Sequence, residues 1–116
     1  MVPQLRPFQL SAWIDSLRAS SPSVRPVLLD VREPWEWQAA SVRADGCVLL
    51  QISMGEITRR LEEIAPQTPT ACLCHHGARS QRVAAFLDEQ GHASVVNIAG
   101  GIEAWSNEVD ASVPRY

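Results

Sequence analysis

The sequence predicts an α/β fold: three layers, with a mainly parallel central sheet of about five strands and helices on both faces. Three observations carry this. Short apolar runs recur along the chain at Val27-Leu28-Leu29-Asp30-Val31, Cys47-Val48-Leu49-Leu50, Thr70 to Leu73 and Val95-Val96-Asn97-Ile98. A strand without polar alternation is covered on both faces, as in a parallel sheet. Runs at helical spacing separate these strands, as parallel crossovers require. Finally, the stretch from Pro69 to Asp88 reads as strand, small-residue loop and helix in direct succession.

Taken in order, the chain begins with a short extended segment. Leu10, Trp13, Ile14 and Leu17 then fall at i, i+3, i+4 and i+7, which predicts an amphipathic helix with Trp13 in the core. A loop over residues 19–26 leads into the first apolar run, which continues into Arg32-Glu33-Pro34-Trp35-Glu36-Trp37. Strand C-terminal ends form the ligand edge of such sheets, so Asp30 and Arg32 belong beside any site there. A surface ion pair with a helix starting at Pro34 is the plainer alternative. After the strand at 47–50, Ser53-Met54-Gly55-Glu56 has the spacing of a capping box. A helix is therefore expected, with Ile57, Leu61 and Ile64 buried and Pro66 at its end. The last strand runs into Gly100-Gly101 and a helix carrying Trp105, a core residue. Paired glycines at that junction permit positive φ and close backbone approach.

The stretch from Pro69 carries the chemistry. Val83, Ala84, Phe86 and Leu87 mark one face of a helix from Arg79 or Ser80 to Gln90, with Gly91 at its C-cap. Cys74, at the end of the preceding strand, then faces a first turn whose N–H groups lack partners and whose macrodipole is positive. A thiolate is an anion and is stabilised there, so Cys74 is predicted to be a nucleophile with a lowered pKa. The plainer alternative is a buried strand cysteine, and Cys72 is read as one. A bond between these two, with a single residue between them, would be badly strained. Four residues separate Cys74 from Arg79, one fewer than in the phosphate cradle of protein tyrosine phosphatases. The smaller ring of amides suits a single terminal sulfur.

The loop Cys74-His75-His76-Gly77-Ala78-Arg79-Ser80 resembles the Cys-x-x-Gly-x-Arg-Ser active-site loop of the rhodanese family. Asp30 to Glu36 is similar to that family's Asp-x-Arg-x-x-x-Glu segment, and Asn97 to Trp105 to its Asn-x-x-Gly-Gly-x-x-x-Trp closing element. Residues 38–53 depart from the pattern. Where the family usually carries Gly-His-x-x-Gly-Ala, this chain reads Ala40 to Cys47, with only Gly46 matched and the histidine absent. The resemblance spans roughly residues 24–110 of a chain read as one domain, 1–116.

It implies a rhodanese-like sulfurtransferase without cofactor or metal. Cys74 would take the outer sulfur of a small anionic donor, thiosulfate or a persulfide such as glutathione persulfide, forming a persulfide that the amides of His75, His76, Gly77, Ala78 and Arg79 encircle. Cyanide, or a thiol such as glutathione or thioredoxin, would accept the sulfur. Asp30 and Arg32 would brace the loop. Arg79 either attracts the donor, the reading ranked first, or fixes the loop. His75 and His76 could shape the pocket, assist the thiol or fill variable positions. Trp35 and Trp37 either line the entrance or pack, and His92 receives no role. A cysteine-dependent phosphatase or arsenate reductase is disfavoured by loop length, and a silent interaction domain by the presence of Cys74. A metal module on Cys72, Cys74, His75 and His76 is disfavoured because ligands so close in sequence are hard to close into a tetrahedron.

Composition narrows the field further. A net charge of -3 leaves no basic patch for nucleic acid and no polybasic membrane anchor. The apolar runs are too short for a bilayer, and the N-terminus lacks a signal peptide's apolar core. Three cysteines without disulfide spacing fit a reducing compartment, so a cytoplasmic protein is expected.

Overall fold

The computed structural model describes residues 2–116. Five strands, β1 (Gln4–Leu5), β2 (Val27–Asp30), β3 (Val48–Gln51), β4 (Thr70–Leu73) and β5 (Val95–Ile98), form one sheet in the order β1-β5-β4-β2-β3. Every neighbouring pair is parallel. The helices are α1 (Leu10–Ser20), α2 (Pro34–Ala39), α3 (Ala78–Glu89) and α4 (Gly101–Glu108).

Successive strand residues face opposite sides of a sheet, so the runs of β2, β4 and β5 feed two cores. Val48 and Leu49 of the edge strand β3 are instead exposed, at 44% and 39%, and are not covered as the run predicts. Leu28, Ala71, Leu73, Val96 and Ile98 pack with Leu10 and Ile14 of α1 and with Ile102 and Trp105 of α4. Leu29, Cys72 and Val95 pack with Val83, Ala84 and Leu87 of α3. This is the three-layer arrangement that the uninterrupted apolar runs predict. Truncating a fully buried leucine such as Leu28 or Leu29 to alanine costs about 2–5 kcal/mol in cores of this kind.

Two further expectations fail. Residues 53–66 form no α-helix; two 3-10 turns, Met54–Glu56 and Leu61–Glu63, take its place, and Ser53 makes no side-chain cap bond. Gly55 weakens any helix there. Ile57 and Ile64 nevertheless reach the core, while Leu61 only packs against its edge. The segment is tied down at both ends instead: Met54 N–H donates to Val31 O (2.9 Å), and Ala93 N–H to Pro66 O (2.9 Å). The apolar spacing reported burial correctly but not helical continuity. Trp13, expected in the core, is half-buried at its margin.

The topology decides where a site can form. From β2 the chain moves outward to β3, then returns to the other side of β2 for β4 and continues to β5. The winding direction reverses between β2 and β4, which opens a crevice beyond their C-terminal ends. Asp30 and Cys74 are delivered to that crevice, and Val31 N–H donates to Leu73 O (2.9 Å) across it.

Candidate active site

Cys74 follows β4 directly and is 1% exposed. The chain then turns through Gly77, whose φ of 109° places it in the left-handed region at the N-cap of α3. That turn aims the Gly77 N–H at Cys74 Sγ, 3.0 Å away. The buried Ser80 hydroxyl lies 3.2 Å from the same sulfur and 3.3 Å from Gly77 O, with one proton to serve both.

A second turn clamps this loop. Ile102 N–H donates to Cys74 O (2.9 Å) and Glu103 N–H to His75 O (3.1 Å). A Cβ on Gly101 would lie 2.4 Å from both of those carbonyl oxygens, so only glycine permits the approach. The Gly100-Gly101 junction thus presses the start of α4 against the cysteine loop.

The opposite side is held by charge. Arg79 grips Glu36 of α2 with both terminal nitrogens, Nη1 to Oε2 (2.7 Å) and Nη2 to Oε1 (2.8 Å). Glu33 N–H donates to Oε2 and the Tyr116 hydroxyl to Oε1, each at 2.8 Å. The Glu36 carboxylate is therefore fully partnered although only 2% exposed. Arg79 holds its pKa at about 2, against the opposing effect of burial. The Arg79 pKa is raised in turn by the same hydrogen bonds.

Behind this pair, Arg32 is fully buried and spends all five of its N–H donors. Nε and Nη2 hold Asp30 (2.9 and 2.7 Å), Nη1 reaches Glu36 O (3.1 Å) and Tyr116 Oη (2.9 Å), and Nη2 also reaches Ala40 O (2.8 Å). Burial opposes the Arg32 charge, yet Asp30 and Tyr116 raise its pKa on balance. Burial pushes the Tyr116 hydroxyl up to about 12, so it serves as a neutral donor and acceptor between Glu36 and Arg32. Asp30, Arg32, Tyr116, Glu36 and Arg79 form one hydrogen-bonded chain from the end of β2 to the first turn of α3.

The rim is aromatic. The Tyr116 ring stacks on His75 (4.1 Å, 17°), which stacks on His76 (4.0 Å, 16°). Trp35, 65% exposed, meets Tyr116 edge-on at 5.8 Å. Burial, then the neighbouring His76, draws the His75 pKa below its usual value, against the pull of Glu103 and Glu36.

The structure thus gathers Cys74, His75, Gly77 and Arg79 into one loop, with His76 and Ala78 at its exposed side. Asp30 and Arg32 connect to it only through Glu36 and Tyr116. Of the two tryptophans, Trp37 is half-buried and away from the rim contacts that Trp35 makes. His92 is buried, with Nε2 3.0 Å from Ile64 O, and supports the fold. Four contributors have no role assigned from sequence: Glu36 and Ser80, which are marked positions of the quoted motifs, Glu103, which occupies an unmarked position of the closing element, and Tyr116, for which spacing gives no signal.

This is a cysteine-loop α/β domain of the parallel, doubly covered kind. It belongs to the rhodanese-like domain family, whose profile matches residues 11–108. The chain is 43% identical over 93 residues to the rhodanese-like/PpiC domain-containing protein 12, chloroplastic, of Arabidopsis thaliana, covering 77% of this chain and 30% of that protein. It is 37% identical over 82 residues to a sulfurtransferase of Allochromatium vinosum, covering 69% and 71%. The crystal structure of a rhodanese-related protein from Thermoplasma volcanium superposes with a TM-score of 0.72 at 25% identity, covering 92% of this chain and 93% of that one. The chain spans less than a third of the longer curated relatives it matches. Among the described residues no helix is long and apolar enough to cross a membrane.

Proposed function

We propose that the chain is a sulfurtransferase that moves a sulfane sulfur through a persulfide on Cys74. The observation that carries this reading is the cradle itself: a cysteine at the switch-point crevice, with the Gly77 N–H and the Ser80 hydroxyl aimed at its sulfur. With thiosulfate as donor, the Cys74 thiolate attacks the outer sulfur, the S–S bond of thiosulfate breaks, and sulfite leaves with the electron pair. The new terminal sulfur carries the negative charge, and the loop amides of residues 75–79 receive it. A thiolate or cyanide then attacks that sulfur, and Cys74 is released as thiolate. Small thiols such as glutathione, or a protein thiol such as that of thioredoxin, fit the acceptor role. The three cysteines are free, which accords with a reducing compartment such as the cytoplasm.

Arg79 is better read as the brace of this loop than as the donor's ligand, because Glu36 already holds both of its terminal nitrogens. Bidentate pairing of this kind fixes geometry as well as charge.

Intact-protein mass spectrometry after incubation with thiosulfate tests the reading. The expected result is a gain of one sulfur atom that cyanide discharges, that Cys72→Ser retains and that Cys74→Ser loses. Persistence of the gain in Cys74→Ser would remove Cys74 as the nucleophile. No gain with thiosulfate or with a glutathione persulfide donor would sink the sulfurtransferase reading.

A further inference from the structure

Beside the cysteine cradle stands a cluster of side chains to which the sulfur-transfer reading gives no role. His75 Nε2 lies 3.7 Å, and His76 Nε2 4.0 Å, from the same atom, Glu103 Oε1. These separations are long for hydrogen bonds. One ligand atom from each of the three side chains, a ring nitrogen of each histidine and a carboxylate oxygen, lies within 4.8 Å of the other two. The other carboxylate oxygen faces Arg115 Nε at 3.5 Å, which leaves Oε1 directed at the two imidazoles.

The arrangement is set by the backbone. Glu103 N–H donates to His75 O, and Ile102 N–H to Cys74 O, so the start of α4 and the cysteine loop are fixed in register. The two imidazoles stack with both Nε2 atoms within 4.0 Å of Glu103 Oε1, and Tyr116 backs the inner ring. On a tetrahedral ion with bonds of about 2.0–2.1 Å, neighbouring ligand atoms stand roughly 3.3 Å apart. Convergence on one ion requires the two rings, now stacked 16° from parallel, to tilt towards each other about their side-chain torsions.

We propose that His75, His76 and Glu103 form a binding site for a divalent transition-metal ion of the zinc class, with three protein ligands and a coordination position open to solvent. Two imidazoles and one carboxylate suit Zn²⁺, Cu²⁺ or Ni²⁺ rather than Mg²⁺ or Ca²⁺, which favour all-oxygen ligation. The open position follows from the exposure of His76 on the outer side. The ligand set differs from the one that sequence spacing offers. Cys72 is sealed in the core, and the third ligand arrives from α4, 27 residues beyond His76. The inference does not rest on sulfur transfer and holds even if Cys74 is inert.

The test uses full-length Cys74→Ser protein, so that no thiolate at that position can capture the ion. Co²⁺ titration followed by visible absorption, and Zn²⁺ competition against a chromophoric chelator, should show one ion per chain without a sulfur-to-metal charge-transfer band. Glu103→Gln and His76→Ala should each weaken binding at least about tenfold, the lower bound seen even for supporting residues of metal sites. Asp88→Asn, on the exposed side of α3, should leave it unchanged. His76→Ala alters an exposed side chain and keeps the test valid should Glu103→Gln fold poorly. Absence of saturable binding, equal binding in both ligand variants, or binding that appears only with Cys74 intact would each overturn the proposal.

Discussion

Cys72 and Cys74 sit two residues apart on one edge of the same core, and both are essentially inaccessible, at 0% and 1% exposure. Burial does not separate them. Cys72 lies within β4, surrounded by apolar side chains, and desolvation pushes its thiol up to about 12. Cys74 lies one step past the end of the strand, where the sheet no longer claims the backbone and the turn into α3 directs an N–H and a hydroxyl at its sulfur. The difference between a structural cysteine and a candidate nucleophile is thus made by donors, and the donors are placed by a loop whose two sides are held from elsewhere. Each side can be loosened separately, with Cys72 as an internal control that should not respond.

The largest effect is expected from the clamp. Gly101→Ala forces a methyl group to within 2.4 Å of Cys74 O and His75 O, so the loop must move away from α4. Destabilisation of about 3 kcal/mol or more is expected from overpacking and positive-φ strain combined. Sulfur loading of Cys74 should fall by at least an order of magnitude, while Cys72 stays protected from alkylation in the folded state. Denaturant unfolding and alkylation mapping check both. Full activity in Gly101→Ala would show that the Gly-Gly junction is a connection and not a clamp.

The other side responds to pH. The folded-state pKa of Glu36, about 2, lies below its value of about 4.3 in an unfolded chain. A depressed carboxylate contributes stability that is fully present above the unfolded value and is lost as pH falls through the folded one. Glu36→Gln should therefore cost about 3 kcal/mol near pH 7, and the gap to the wild type should close between about pH 5 and pH 2. Urea unfolding across that range measures it. A gap constant with pH would mean that Glu36 matters through packing and not through the charge of Arg79.

These two supports differ in how far the sequence reveals them. The Gly-Gly junction is legible because positive φ and close approach restrict the residue type, so the requirement is written at the position itself. The parallel sheet is legible for a similar reason, since strands covered on both faces leave no polar alternation. Glu36 is harder. It pairs with Arg79 across 43 residues, and a glutamate in the first turn of a helix is ordinary on local grounds. Tyr116 joins Arg32 across 84 residues with nothing nearby to announce it. The misread segment at 53–66 shows the converse error: a capping pattern and apolar spacing are local signals, and tertiary ties at both ends satisfied the same burial with two short turns. Local chemistry was readable, and partnerships made by the fold were not.

The smallest change isolates a single donor. Ser80→Ala removes the hydroxyl 3.2 Å from Cys74 Sγ while leaving the Gly77 N–H in place. One net hydrogen bond is worth about 1 kcal/mol, which converts to a roughly fivefold slower sulfur loading if the bond strengthens as charge moves onto the terminal sulfur. Because the hydroxyl also reaches Gly77 O, stability should fall by no more than about 1 kcal/mol. The useful quantity is the ratio of the two losses, read from single-turnover loading and from denaturant unfolding on the same preparation. A rate loss well beyond the stability loss would assign the hydroxyl to the reacting sulfur. A stability loss with no change in rate would assign it to the carbonyl, leaving the backbone amides as the feature that sets Cys74 apart from Cys72.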